Sequence, residues 1–487
     1  MIRRRFIASS AAALAGAAAM PEAAFAEDAP LQLSAAQRSP IEEAVAKAMA
    51  ATETRGVSVT VARGGTIVYA NGFGQRDVGA KLPVDADTVF PIGSITKQFT
   101  AAAIMLLARD GKVTLDAPAA RYVPHAPHGN DYTVRNLLQQ TTGLANFTAV
   151  PGFLQKFATS KTITPAELLA LIANAPLGFA PGTRYEYSNT NYLVLGMIVE
   201  AVSGIPYARF VHERIAVPLG LTHLTFGPPP DDADVARGYE AQTGTAAVKP
   251  WSPQATFSAG ALYATPADLV RWDEAFFGGR LLDASTVRAM TTPPQLPGGA
   301  KTVYAMGWLH EQIDGHAMIW HNGGVIGANT RNAYFPDQHI AIVVFGNSVG
   351  FDETAIVRAA FRAVVPPSEA QLAQERQSET TPAAGEDAAI TTAARAEYER
   401  WRAGQLDTTN YDAAMRAAMN DATVRQVSAG LVALGAPTAF VFRGKQSLAG
   451  GVTAYVYRVN APNGAVRFVY STDADGKVGG IFFTPAQ

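Results

Sequence analysis

Residues 91–111 read PIGSITKQFTAAAIMLLARDG. From Lys97 onward the stretch is small, apolar and nearly free of charge, the composition of a buried helix. A lysine one turn inside such a helix is costly, because burial disfavours the ammonium. Ser94 lies three residues earlier, and at a helix start positions i and i+3 share a face. The first turn also offers unpaired backbone N–H groups and the positive end of the helix dipole. Both destabilise a protonated lysine and stabilise a negative oxygen, and burial lowers the amine's pKa further. A neutral amine beside a hydroxyl activates a serine without any histidine. Taken alone, Ser-x-x-Lys far more often describes a capping serine and a lysine whose stem snorkels to solvent. The reading therefore requires further pieces of a site.

On either side of this helix the patterning changes. Residues 34–52 read as a helix, and GVSVTVARGGTIVYANGFG (56–74) alternates around Arg63-Gly64-Gly65 as a hairpin. A mostly helical middle follows, with helices expected near 97–110, 165–174, 190–203, 206–216 and 266–277; Thr265 before Pro266 is an N-cap with proline at N1. Strand patterns return at YAMGWLHEQI, HAMIWHN, ANTRNAYFP and HIAIVVFGN, and ETAIVRAAFRAVV closes this part as a helix. The economical arrangement is one antiparallel sheet built from both ends of the domain, flanked by the terminal helices, with a helical lobe inserted between. The polar stretch 366–389 has the composition of a linker. Residues 390–487 read as two helices and then four strands, a small α+β domain. The fold class is thus α/β in the broad sense and α+β in the strict one, with domains expected at 30–365 and 390–487.

The 487 residues carry a formal net charge of only −2, so neither nucleic acid nor an acidic membrane surface is favoured as partner. The chain has no cysteine, which excludes disulfides, cysteine-ligated zinc and a cysteine nucleophile. Arg3, Arg4 and Arg5, the apolar run FIASSAAALAGAAAM and the small-x-small triplet Ala24-Phe25-Ala26 form a signal peptide over 1–26, cleaved before Glu27. Arg3-Arg4-x-Phe6-Ile7 also resembles a twin-arginine signal. The expected location is the periplasm or outside the cell, with no integral membrane segment after cleavage.

Two further pieces complete the site. Tyr187-Ser188-Asn189 lies in an extended stretch before a helix, where residues i and i+2 point the same way, so Tyr187 and Asn189 face one cavity. His321-Asn322-Gly323-Gly324 ends a strand, and its glycines allow backbone to approach a ligand closely. The N–H groups of Ser94 and Gly324 are the expected oxyanion hole. Ser94-x-x-Lys97, Tyr187-x-Asn189 and His321-x-Gly323, in that order, resemble the three motifs of penicillin-recognising serine hydrolases. These are the class C β-lactamases, D-Ala-D-Ala carboxypeptidases and family VIII-type esterases. DTVFPIGSITKQFTAAAIMLLARDGKVTLDAP, TVRNLLQQTTGL, APGTRYEYSNTNYLVLGMIVE and FSAGALYATPADLVRW resemble the same family, over about residues 35–365.

The resemblance implies a β-lactamase-like, penicillin-binding-protein-like fold that works without cofactor or metal. It implies Ser94 as the acylated nucleophile, Lys97 as its base partner and Tyr187 as the proton shuttle. Asn189 positions the substrate carbonyl, and His321, Asn322 and Gly323 bind substrate. In β-lactamases the third motif is usually Lys-Thr-Gly, whose cation and hydroxyl grip a carboxylate; here it is His-Asn-Gly. Esters and D-amino-acid peptides are therefore favoured as substrates. D,D-carboxypeptidase or weak β-lactamase activity, and non-turnover binding of peptidoglycan fragments or β-lactams as a sensor, are the alternatives. Gln140, where the family commonly shows histidine, is expected to be structural.

Other patterns are decoys. Gly346-Asn347-Ser348-Val349-Gly350 matches Gly-x-Ser-x-Gly, but that elbow needs a histidine downstream and none follows His339. His125 and His128 lie in a proline-broken loop, and His316 and His321 fall on opposite faces of a strand. Phe147, Phe153, Trp251, Tyr304 and Trp308 are candidates to line an acyl pocket, Tyr304 foremost. The C-terminal domain, loosely similar to cystatin-like or NTF2-like modules, holds no convergent catalytic set.

Overall fold

The computed structural model describes residues 32–229, 234–240, 244–299, 302–447 and 452–485. The leader expected at 1–26 lies outside the described residues. Ser34 caps the first helix, Ala35–Thr52, through a capping box with Gln37. The chain then builds β1 (Gly56–Arg63), β2 (Thr66–Asp77), β3 (Leu82–Pro83) and β4 (Phe90–Pro91). The lobe that follows contributes β5 (Thr225–Phe226) and β6 (Leu262–Ala264). β7 (Leu309–Ile313), β8 (His316–Val325), β9 (Ala328–Phe335) and β10 (Ile340–Gly346) come last. Gly64 and Gly65, both at positive φ, turn β1 into β2.

The main sheet runs β3-β2-β1-β10-β9-β8-β7. Its two halves join antiparallel at β1 and β10, with Val57 opposite Gly346 and Arg63 opposite Ile340. Alternation along these central strands feeds two cores. Val57, Val59, Val61, Ile342 and Val344 pack under helices Ala35–Thr52 and Glu353–Val364. Ala341, Val343 and Phe345 face the core that holds Phe99 and Trp272. Strand β10 is apolar throughout because helices cover both of its faces. The expectation of one antiparallel sheet assembled from both ends, with helices inserted between, matches this topology.

One reading is corrected and one is given a form. The strand expected over 304–313 is shorter: β7 begins at Leu309, and Tyr304 makes a single bridge back to it. The stretch 366–389, expected as a linker, contains helix Glu369–Thr380, closed at its start by a Ser368–Gln371 capping box. Its polarity is that of an exposed helix held by side-chain bonds. Gln371 Nε2 donates to Asp314 O (2.8 Å), Arg362 pairs with Glu375 (2.9 Å), and Arg458 pairs with Glu379 (3.2 Å).

Beyond it, helices Ala388–Ala403 and Asp421–Leu434 pack on β11 (Ala439–Ser447), β12 (Thr453–Ala461), β13 (Gly464–Thr472) and β14 (Val478–Pro485), an antiparallel meander. This domain has its own aromatic core around Tyr398, Trp401, Tyr457 and Phe468. No single described helix is long and apolar enough to cross a membrane.

Candidate active site

Ser94 occupies a 3₁₀ turn, Gly93–Ile95, that runs into helix Thr96–Arg109. The helix is buried from Thr96 to Leu107, so Lys97 has no solvent, whereas Ser94 is partly exposed. Lys97 Nζ makes three hydrogen bonds: to Ser94 Oγ (2.9 Å), Asn189 Oδ1 (2.8 Å) and the carbonyl of Ala259 (2.7 Å). None of these partners is a carboxylate. Burial holds the amine's pKa well below its ordinary value. A neutral amine has two N–H bonds and one lone pair. Asn189 Oδ1 and Ala259 O can only accept, so they take the two hydrogens. In that neutral form the lone pair is left for the Ser94 hydroxyl, the third group within hydrogen-bond distance.

The amide of Asn189 is fixed in its turn. Its Nδ2 donates to Thr148 Oγ1 (3.0 Å), and that hydroxyl donates to Asn146 Oδ1 (2.9 Å), which leaves Oδ1 of Asn189 for Lys97. Asn189 opens helix Asn189–Ser203, and Ser188 before it is extended (φ −139°, ψ 125°), so Tyr187 and Asn189 do converge. The Tyr187 hydroxyl is hydrogen-bonded to Ser94, and burial raises its pKa, keeping the phenol protonated. Its ring centroid lies 4.9 Å from Lys97 Nζ. Gln140 sits at positive φ, and its Oε1 accepts from Ser188 N (3.0 Å) and Asn191 Nδ2 (2.5 Å). It ties the Tyr187 segment to the neighbouring helix, which is the structural role expected of it.

Strand β8 forms the opposite wall. His321 is buried, its Nδ1 donates to Asn322 O (2.6 Å), and Nε2 accepts from Tyr304 OH (3.3 Å). Burial is the largest cause that lowers its pKa to about 3, so the ring is neutral. Tyr304 and Tyr187 meet edge to face, centroids 6.0 Å apart. Gly323 and Gly324 lie against the Ser94 turn: a Cβ on Gly93 would fall 2.9 Å from Gly324 N.

Asn322 does not join them. It is exposed, and alternation puts it on the sheet face of Trp320, opposite to His321. Of the other aromatics, Phe147, Phe153 and Trp308 are buried in the core. Trp251 instead lines a cavity of about 210 Å³ beside the Ser94 turn, together with Pro91, Tyr263, Val325 and Ile326.

Three contributions lacked a signal in residue type: the Ala259 carbonyl, Asn146 and Thr148. Phe257, at φ 40° and ψ −136°, kinks the chain. Past the kink Ser258 O accepts from Thr100 Oγ1 (2.7 Å) and Ala259 O from Lys97. The decoys are accounted for. Ser348 Oγ accepts from Arg55 N (3.2 Å) at the end of β10, and His128 Nε2 bonds the Ala175 carbonyl (3.0 Å). Ser348→Ala is expected to change hydrolysis less than about 2-fold while costing about 1 kcal/mol for the lost buried bond. Parallel kinetics and thermal melting check this, and complete loss of activity in a folded variant would restore the elbow.

The β-lactamase family model matches residues 41–366. The Bacillus subtilis (strain 168) protein PbpX is 30% identical over 291 residues, 59% of this chain and 69% of its own. The D-amino acid amidase of Ochrobactrum anthropi SV3 superposes with a TM-score of 0.60 at 27% identity, covering 68% of this chain and 99% of that one. The octameric penicillin-binding protein homologue of Pyrococcus abyssi has a TM-score of 0.62 over 92% of this chain and 98% of that one. At 21% identity it shows the fold alone. With the family model over two thirds of its length, this chain belongs to the β-lactamase family of serine hydrolases, alongside relatives of the penicillin-binding-protein type.

Proposed function

We propose that this protein is an exported serine hydrolase that forms an acyl-enzyme on Ser94, with esters and amides or peptides of D-amino acids as substrates. The observation that carries the reading is the buried Lys97 amine, within hydrogen-bond reach of Ser94 Oγ, Asn189 Oδ1 and the Ala259 carbonyl, with burial driving it toward the neutral form whose lone pair is free for Ser94. Lys97 takes the Ser94 proton as Oγ bonds the substrate carbonyl carbon. The N–H groups of Ser94 and Gly324 receive the oxygen as it becomes negative. Tyr187, a protonated phenol touching Ser94, relays the proton to the leaving group as the scissile bond breaks. Water then attacks the acyl carbon along the same relay, and Ser94 regains its proton.

Two features support neutral or amino-bearing substrates over β-lactams. His321 is uncharged, and Asn322 points away, so the third motif offers no cation to a substrate carboxylate. The likeness to a D-amino acid amidase, 27% identical, supports the same choice. The leader over 1–26 supports export, with Glu27 as the first residue of the mature chain.

The test is the intact mass of the exported protein after mixing, separately, with a short-chain p-nitrophenyl ester, D-phenylalanine amide and benzylpenicillin. The expected result is turnover of the ester or the amide without a lasting penicillin adduct, on a chain beginning at Glu27. A stable penicillin adduct with no turnover of either would replace this reading with the sensor.

A further inference from the structure

The two N–H groups assigned above to the oxyanion hole come from segments 230 residues apart in the chain. Something must hold them at a fixed spacing. A Cβ on Gly323 would fall 2.0 Å from Ile92 O and 2.3 Å from Thr330 Oγ1, so the backbones of β8 and of the Ser94 approach touch directly. Thr330 lies opposite Gly323 in the β8–β9 register and is 1% exposed. Its hydroxyl donates to Ile92 O (3.2 Å) and to Gly323 O (3.3 Å), one hydrogen shared between two carbonyls. The Gly323 carbonyl and the Gly324 N–H belong to a single planar peptide unit. A bond to that oxygen therefore fixes the direction of that N–H. The Ile92 carbonyl lies two residues before Ser94, and the Ile92 N–H is held from the other side by Leu262 O (2.9 Å).

We propose that Thr330 is a positioning residue: it locks the tilt of the 323–324 peptide and ties it to the turn that carries Ser94, setting the oxyanion hole's width. The inference rests on the hydrolase reading given above. It separates from a packing role because the hydroxyl adds little to stability. Ile92 O keeps a bond from Ile95 N (3.2 Å), and valine has the shape of threonine and suits a strand.

The experiment compares Thr330→Val and Thr330→Ser with wild type on a short-chain p-nitrophenyl ester and with phenylboronic acid, whose adduct on serine is tetrahedral. Thr330→Val is expected to lower kcat about 10-fold to 100-fold with KM nearly unchanged, the scale of a misplaced rather than a deleted oxyanion donor. It should weaken the boronate by the same factor, and Thr330→Ser should recover most of both. Wild-type kcat in Thr330→Val, or equal losses in both variants, overturns the clamp and leaves the hydrolase reading standing. Absence of ester turnover in the wild type overturns that reading and the clamp with it.

Discussion

Ser94→Ala is expected to abolish covalent labelling and to lower ester turnover by about 10⁶-fold, the scale seen when a nucleophile acting as one unit with its base is removed. The remaining parts are worthless for covalent catalysis without an attacking oxygen. The Lys97 lone pair has no proton to take, and the Tyr187 hydroxyl loses the partner through which it joins the relay. The variant should fold normally, because Ser94 is partly exposed and its loss costs about 1 kcal/mol of hydrogen bonding. Intact mass after ester treatment, with thermal melting as control, measures both effects. An adduct retained by Ser94→Ala would move the nucleophile elsewhere.

Lys97→Met is expected to reduce turnover by about 10⁴-fold, the upper range for removing a general base. Methionine fills the lysine's volume, so the buried helix keeps its packing. Two carbonyl acceptors, Asn189 Oδ1 and Ala259 O, lose their donor, while the cost of burying a basic amine disappears. Added to Ser94→Ala, the change should cost nothing further, since both act through one proton transfer.

The variant also reports the state of the amine. Burial lowers the folded pKa of Lys97 well below 10.5, so between the folded and the unfolded value the unfolded chain binds up to one proton more than the folded chain. Stability from this group therefore rises with pH between the two values, by about 1.4 kcal/mol per pH unit. Denaturant melts at a series of pH values up to about 9 should show wild type gaining on Lys97→Met at about that slope once the pH exceeds the folded value. Parallel curves would mean a protonated lysine and would remove it as the base.

The parts of the site that could be read beforehand are those that short-range geometry controls. Ser94 and Lys97 share a helix face whatever surrounds them, and Tyr187 and Asn189 converge because Ser188 is extended. Asn322 shows where a motif read as a unit leaves geometry open. On β8 neighbouring residues point to opposite faces, so His321 and Gly323 are buried on one while Asn322 is exposed on the other. In the stretch 366–389 composition left the local structure open for a related reason. Composition reports polarity, and an exposed helix such as Glu369–Thr380 is as polar as a linker.

The sequence by itself determined the sheet's central strands, the buried helix with its costly lysine and the order of the three motifs. Each is written in a period or spacing of a few residues. Only the tertiary structure decided how that lysine is held and aimed. Its third partner is the backbone carbonyl of Ala259, 162 residues away, brought into place by the kink at Phe257. The oxyanion peptide is likewise steadied by Thr330. A backbone carbonyl is common to every residue type, so nothing in the letters marks the one that will matter. That selection is made when the helical lobe folds back onto the sheet.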